Sequence, residues 1–208
     1  MIFRRFLTIA AVAAWSVAGT AAPKVPAADE ALLKAYDGFR AGDALKLQRF
    51  SSQVGSGHVL APYLEYWRLK LRIEDMPDAE VQAFLEREAG TYVAERLRAD
   101  WLKALGKRGD WFRFDQQLPL LAQDDLEVRC YGWLARLARA DDGAYAEARE
   151  MWLEPREWPA GCAALANKMV EAEKVSVDEV WARTRVLFES GSLGAARRAL
   201  EYLPAGDK

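Results

Sequence analysis

Arg98–Phe114 reads RADWLKALGKRGDWFRF. An apolar helical run ends in Lys107-Arg108-Gly109-Asp110, and Trp111 at once starts a second run. Glycine reaches the left-handed backbone that closes a helix, and aspartate supplies a side-chain oxygen that caps the next one. The stretch therefore predicts two antiparallel helices joined by a tight turn. Looser versions of this punctuation stand at Phe39–Asp43 (FRAGD), Ala138–Gly143 (ARADDG) and Phe188–Ser192 (FESGS).

On either side, helical spacing of apolar residues continues. It is carried by Leu32, Leu33, Tyr36 and Phe39, then by Leu45, Leu47 and Phe50. Ser51–His58 reads as a polar break, and Pro62 suits the first turn of a helix bearing Tyr63, Leu64, Tyr66, Trp67, Leu69 and Leu71. Asp78 is placed to cap a helix with Val81, Phe84 and Leu85. Further helices are expected over Tyr92–Leu105, Trp111–Leu121, Val128–Leu137, Tyr145–Leu153, Cys162–Glu173, Val177–Ser190 and Leu193–Tyr202. Pro155 and Pro159 bracket a loop. No stretch alternates with the period of a half-buried strand. Gly109 and Gly143 stand about 34 residues apart, one helix-turn-helix repeat length. The other spacings are unequal. The expected fold class is all-α: a right-handed superhelix of antiparallel helical hairpins, TPR-like with degenerate repeats.

The first residues have a different character. Arg4 and Arg5 form a positive head, Phe6–Gly19 is an uncharged apolar run, and Thr20, Ala21 and Ala22 are small. That is the pattern of a secretory signal peptide over residues 1–22. The apolar run is shorter than the roughly 20 residues a bilayer span requires, so no stable membrane anchor is expected. Residues 23–28, PKVPAA, form a short leader, and the domain is expected over residues 29–208. Export places the chain in the periplasm. Without Arg4 and Arg5 the formal net charge moves from −2 to −4, which gives no electrostatic case for nucleic acid.

Little in the chain points to chemistry of its own. The only histidine, His58, follows Gly55-Ser56-Gly57 with no orienting group or oxyanion hole nearby, so it reads as a loop residue. Glu86, Glu88, Asp124, Asp125, Asp141 and Asp142 fall at helix starts, turns or polar faces, where capping and solvation explain them better than paired acid–base work. Two cysteines and one histidine are too few for a metal centre without help, and no metal or cofactor is expected. Cys130 and Cys162 in an oxidising compartment favour a disulfide between neighbouring hairpins; two buried free thiols are the alternative. Arg96, Arg98, Lys103, Lys107 and Arg108 read as a solvated surface whose last members complement a helix dipole. A second reading makes Lys107 and Arg108, with Trp101 and Trp111, contacts to a sugar-rich polymer.

Several segments together resemble the N-terminal superhelical domain of the soluble lytic murein transglycosylases. Pro62–Leu69 (PYLEYWRL) is similar to that family's early PYLEY helix. Arg96-Leu97-Arg98 through Gly109-Asp110-Trp111 resembles its RLR…GDW hairpin. Cys130-Tyr131, Trp152-Leu153, Pro159 and Cys162 resemble a cysteine-bearing pattern in which the two thiols can pair. Ala182–Pro204 resembles the hairpin that follows. The resemblance implies an enzyme family that cuts the β-1,4 bond between N-acetylmuramic acid and N-acetylglucosamine in peptidoglycan, leaving 1,6-anhydromuramyl ends. It places the catalytic glutamate in a C-terminal lysozyme-like domain, for which this chain is expected to have no room. Glu189-Ser190 repeats the glutamate-serine pair of that family's active site. It stands in a hairpin turn without the family's flanking residues, so no catalytic residue is expected here. The expected partners are peptidoglycan glycan strands and the missing catalytic domain. The expected role is to position the polymer; the alternative is a free-standing periplasmic adaptor that binds a protein.

Overall fold

The computed structural model describes residues 25–204 and residue 206. The expected signal peptide lies outside the described residues. Among them are eleven α-helices and no strand: α1 (Ala27–Arg40), α2 (Ala44–Val54), α3 (Ala61–Leu71), α4 (Asp78–Arg87), α5 (Tyr92–Arg108), α6 (Trp111–Gln117), α7 (Leu126–Leu137), α8 (Gly143–Ala148), α9 (Ala160–Glu171), α10 (Val177–Glu189) and α11 (Leu193–Ala199). Short 3₁₀ turns extend α6, α8 and α11. The all-α hairpin fold expected from the periodicity is the fold observed.

One turn is used repeatedly. At the end of α5, Gly109 adopts φ 73°, its N–H donates to the Gly106 carbonyl (3.1 Å), and the Asp110 N–H donates to Leu105 (2.9 Å). Asp110 then accepts from the Arg113 N–H at the start of α6. The same pair of reversed bonds recurs around Gly42, Ala140, Glu173 and Gly191. Ala140 and Glu173 hold positive φ without being glycine. This corrects the sequence reading of the Ala138–Gly143 turn: the left-handed residue is Ala140, and Gly143 opens α8 instead. The turn is set by where the helix runs out of apolar positions, and glycine merely eases it.

Other boundaries differ from expectation as well, three of them with a clear cause or consequence. Helix α1 starts at Ala27, inside the expected leader. Helix α2 runs through Ser51 and Ser52 to Val54, because both hydroxyls donate back to their own helix, at Leu47 O (2.7 Å) and Arg49 O (2.8 Å). Helix α6 stops at Gln117, since Pro119 has no N–H to continue the ladder.

Helices α1, α3, α5, α7 and α9 pack each on the next and form one layer; α2, α4, α6 and α8 fill the second. The main core runs from Ala31 to Ala135 and includes fully buried Leu69, Phe84, Leu97, Trp101, Leu105 and Phe114. A second core begins at Cys130 and continues through Trp152, Leu165 and Met169 to Leu203. Tyr131 belongs to the first cluster while its neighbour Cys130 belongs to the second, so α7 joins the two.

Tyr131 fixes how closely α5, α7 and α9 approach. Its ring lies against Gly106 of α5 and Gly161 of α9. A Cβ on Gly106 would stand 2.4 Å from the ring, and one on Gly161 2.7 Å. Neither glycine has a positive φ, so the requirement is for space and not for backbone freedom. Gly106→Ala is expected to destabilise the fold by about 1–3 kcal/mol, the usual cost of overpacking, although alanine is the better helix former. Urea unfolding checks this. An unchanged or raised midpoint would show that the Tyr131 ring can yield.

Candidate functional site

The polymer-contact residues expected from sequence are not equivalent in the structure. Trp101 is 0% exposed, and its indole N–H donates to Asp78 (3.0 Å). A ring sealed in this way presents no face to a polymer, which removes Trp101 from the expected contacts. Trp111 is half-buried and meets Phe114 edge-on at 6.1 Å. Arg108 donates to both oxygens of Asp78 (2.6 and 2.8 Å), and Lys107 donates to Glu74 (2.6 Å). Arg113 closes the network on Asp110 (2.8 Å) and Asp78 (3.4 Å). Partial burial alone would raise the pKa of Asp110. Hydrogen bonds from Arg113 and the charges of Arg113 and Arg108 outweigh it and hold the carboxyl below its ordinary value. These basic side chains therefore tie the α5–α6 turn to the start of α4 and the loop before it, and Lys107 is the most exposed of the three.

Three of the six acidic candidates, Glu88, Asp125 and Asp141, have structural partners too. Asp125 caps α7 by accepting from the Val128 N–H (3.0 Å), and Lys103 donates to it from α5. Asp141 accepts from Gly143 N–H and from Arg136, and Glu88 accepts from Arg87. Glu189 is exposed at the end of α10, and the Ser190 hydroxyl donates to Leu187 O (2.8 Å). His58 accepts from the Leu60 N–H through Nδ1 (3.1 Å), so its Nε2–H donates to Asp29 (2.9 Å), pinning the turn after α2 to α1. No group of three metal-binding side chains occurs among the described residues.

Two grooves lie on the surface of the α2–α7 hairpins. The first, about 280 Å³, lies across the α3–α5–α7 layer. Asp100, Lys103 and Lys107 form one stripe of α5 there. Lys70 donates to Asp100 (3.0 Å), and the Tyr66 hydroxyl donates to the same carboxylate (3.0 Å). Every cation in this groove is paired within the protein. The second, about 950 Å³, opens between α2 and α4 over α3. Gln48, Ser51 and Ser52 form one wall, and Glu65, Arg68, Arg72, Arg87 and Glu88 line the other side.

A third feature was missed in the sequence reading. Arg183 is 2% exposed inside the second core. Its guanidinium donates to the carbonyls of Trp152 (2.8 Å), Glu154 (3.1 Å) and Arg156 (3.0 Å) and stacks 3.3 Å from the centre of the Trp158 ring. The available signal was its position: Val180, Arg183 and Leu187 share one face of α10, and the other two are buried.

The described residues form a solenoid of helical hairpins, and comparison with known proteins gives that fold a precedent. No protein-family model matches the sequence, and no curated protein matches it in sequence. Solved structures match it in fold. An inactive mutant of the lytic transglycosylase Slt from Pseudomonas aeruginosa aligns at a TM-score of 0.59 and 23% identity, covering 84% of this chain and 28% of that one. The soluble lytic transglycosylase Slt70 of Escherichia coli aligns at 0.59 and 19% identity, covering 86% of this chain and 29% of that one. A complex of the 70-kDa soluble lytic transglycosylase with bulgecin A gives the same TM-score at 18% identity. The chain spans less than a third of the length of these enzymes. Among the described residues no helix is long and apolar enough to cross a membrane.

Proposed function

We propose that this chain is a superhelical part of a periplasmic lytic murein transglycosylase and that it positions peptidoglycan strands without cutting them. The observation that carries the reading is the alignment over 84–86% of the chain to enzymes of that kind, at levels of identity where fold alone persists. The site supports it in a second way. Several carboxylates are taken up in ion pairs and caps, among them Asp78, Asp110, Asp125 and Asp141, while two grooves lie open on the surface. Cleavage of the MurNAc–GlcNAc bond is assigned to a glutamate in a lysozyme-like domain, not to Glu189.

Sedimentation with purified peptidoglycan sacculi tests the positioning role. Most of the protein is expected in the pellet, with no clearing zone when the chain is run alone in a murein gel. Protein left in the supernatant would sink the reading, and a clearing zone would overturn its non-catalytic half. Retention of one periplasmic protein together with no binding to sacculi would favour the adaptor alternative.

A further inference from the structure

We propose that the groove between α2 and α4 binds a carboxylate-bearing amino-sugar strand, and that Arg72 receives the carboxylate. The inference rests on the peptidoglycan reading and names the surface through which it acts.

The groove has the dimensions of a ligand site. Its volume of about 950 Å³ lies near the top of the roughly 300–1,000 Å³ typical of small-ligand clefts. Its floor is apolar, built from Leu64 and Leu71 beside Ala61 and Pro62, and suits the C–H face of a pyranose ring. On the α2 wall, Ser51 and Ser52 spend their protons on carbonyls of their own helix. Their oxygens remain as acceptors for sugar hydroxyls or an acetamide N–H, and Gln48 beside them offers both roles.

Charge separates Arg72 from its neighbours. Arg87 is held by Glu65 (2.6 Å) and Glu88 (3.1 Å), and Arg68 by Glu80 (3.2 Å). Arg72 is exposed and has no ion-pair or side-chain hydrogen-bond partner among the described residues. Three arginines and two glutamates line the groove, so one positive charge is left over, and Arg72 carries it. A guanidinium with its donor fork free matches a carboxylate in bidentate geometry. A densely charged polyanion would meet Glu65 and Glu88 beside that arginine. A strand with one carboxylate for each pair of sugars needs only the one unpaired cation, Arg72, and can set its neutral groups against Gln48, Ser51 and Ser52.

The test compares two saccharides on the same acetylated backbone, by isothermal titration calorimetry with the whole chain. Peptidoglycan glycan strands stripped of stem peptides carry a free lactyl carboxylate on each muramyl residue. Chitin oligosaccharides lack it. The stripped strands are expected to bind at least tenfold more tightly, about 1.4 kcal/mol. Arg72→Glu should abolish that difference. Ser52→Trp, which fills the groove without touching charge, should weaken both ligands tenfold or more. Lys168→Ala on α9 should bind as the wild type does. Thermal melts of the variants establish that they fold. Wild-type affinity in both Arg72→Glu and Ser52→Trp would overturn the groove assignment while leaving the peptidoglycan reading standing. Equal binding of the two saccharides would overturn the carboxylate assignment. Failure of the wild type to bind either saccharide or whole sacculi would remove the peptidoglycan reading itself, and this inference with it.

Discussion

Replacing both Cys130 and Cys162 by alanine is expected to lower the melting temperature by roughly 10 °C. The two residues are paired, with Cα atoms 5.0 Å apart and 32 positions between them in sequence. Closing a loop of that length removes unfolded-state entropy equivalent to about 3–4 kcal/mol in the chain-entropy model. For a domain of this size each kcal/mol moves the melting temperature by about 2–4 °C. The bond joins α7 to α9 inside the second core, where both cysteines are 0% exposed. A secondary consequence is kinetic: a reductant reaches the sulfurs only after local opening, so mild reduction of the folded protein should be slow. Differential scanning calorimetry of the double variant decides the main point. A shift below about 3 °C would mean that helix packing alone holds α7 against α9.

Arg183→Met should cost about 3 kcal/mol or more, although methionine is the more apolar residue and fills much of the same space. The substitution removes the donors to three loop carbonyls at once. Each buried acceptor left without a donor costs about 1–3 kcal/mol, reduced where the loop can turn toward water. It also strips the cation from the face of Trp158, whose ring packs on Trp152 at 5.0 Å and on Tyr202 at 6.0 Å. Arg183 itself is held at a cost. Burial pulls its pKa well below the ordinary guanidinium range, to about 10, with Tyr202 and Glu154 acting in the opposite sense. The group therefore remains charged at neutral pH, and the carbonyls and the aromatic ring offset its desolvation. Arg183→Lys keeps the charge but loses the planar fork, so it should fall between wild type and Arg183→Met. Urea midpoints of the two variants, followed by tryptophan fluorescence, give the comparison. Equal stability of Arg183→Met and wild type would show that the 152–158 loop holds its shape without the clamp.

These two features show different relations between sequence and structure. The cysteine pair was legible because an expected export signal and the hairpin spacing already favour it. Arg183 was not, because arginine is ordinarily a surface residue. Its burial depends on three carbonyls from a segment about 30 positions away in the chain, and no local pattern announces those. The capping box of Ser176 with Glu179 lies between these cases. Its S-x-x-E spacing stands in the sequence, and the structure forms both of its hydrogen bonds.

The hairpins themselves could be read from the chain alone. Apolar spacing, the Gly109-Asp110 turn and the prolines between helices act over a few residues, and such local terms survive in any context. The side on which a side chain finishes was decided by packing. Trp101 and Trp111 look alike in sequence, yet one is sealed in the core and the other lies half-buried at its edge. Lys107 and Arg108 looked like a free basic surface, and their partners Glu74 and Asp78 arrive from another hairpin. Arg72 looked no different from Arg68 or Arg87. It alone stays free in that groove, because the glutamates that the tertiary fold brings close reach its neighbours and not Arg72. Helix periodicity is a property of the local chain, whereas burial and ion pairing are properties of distances between segments, and those distances exist only once the hairpins have stacked.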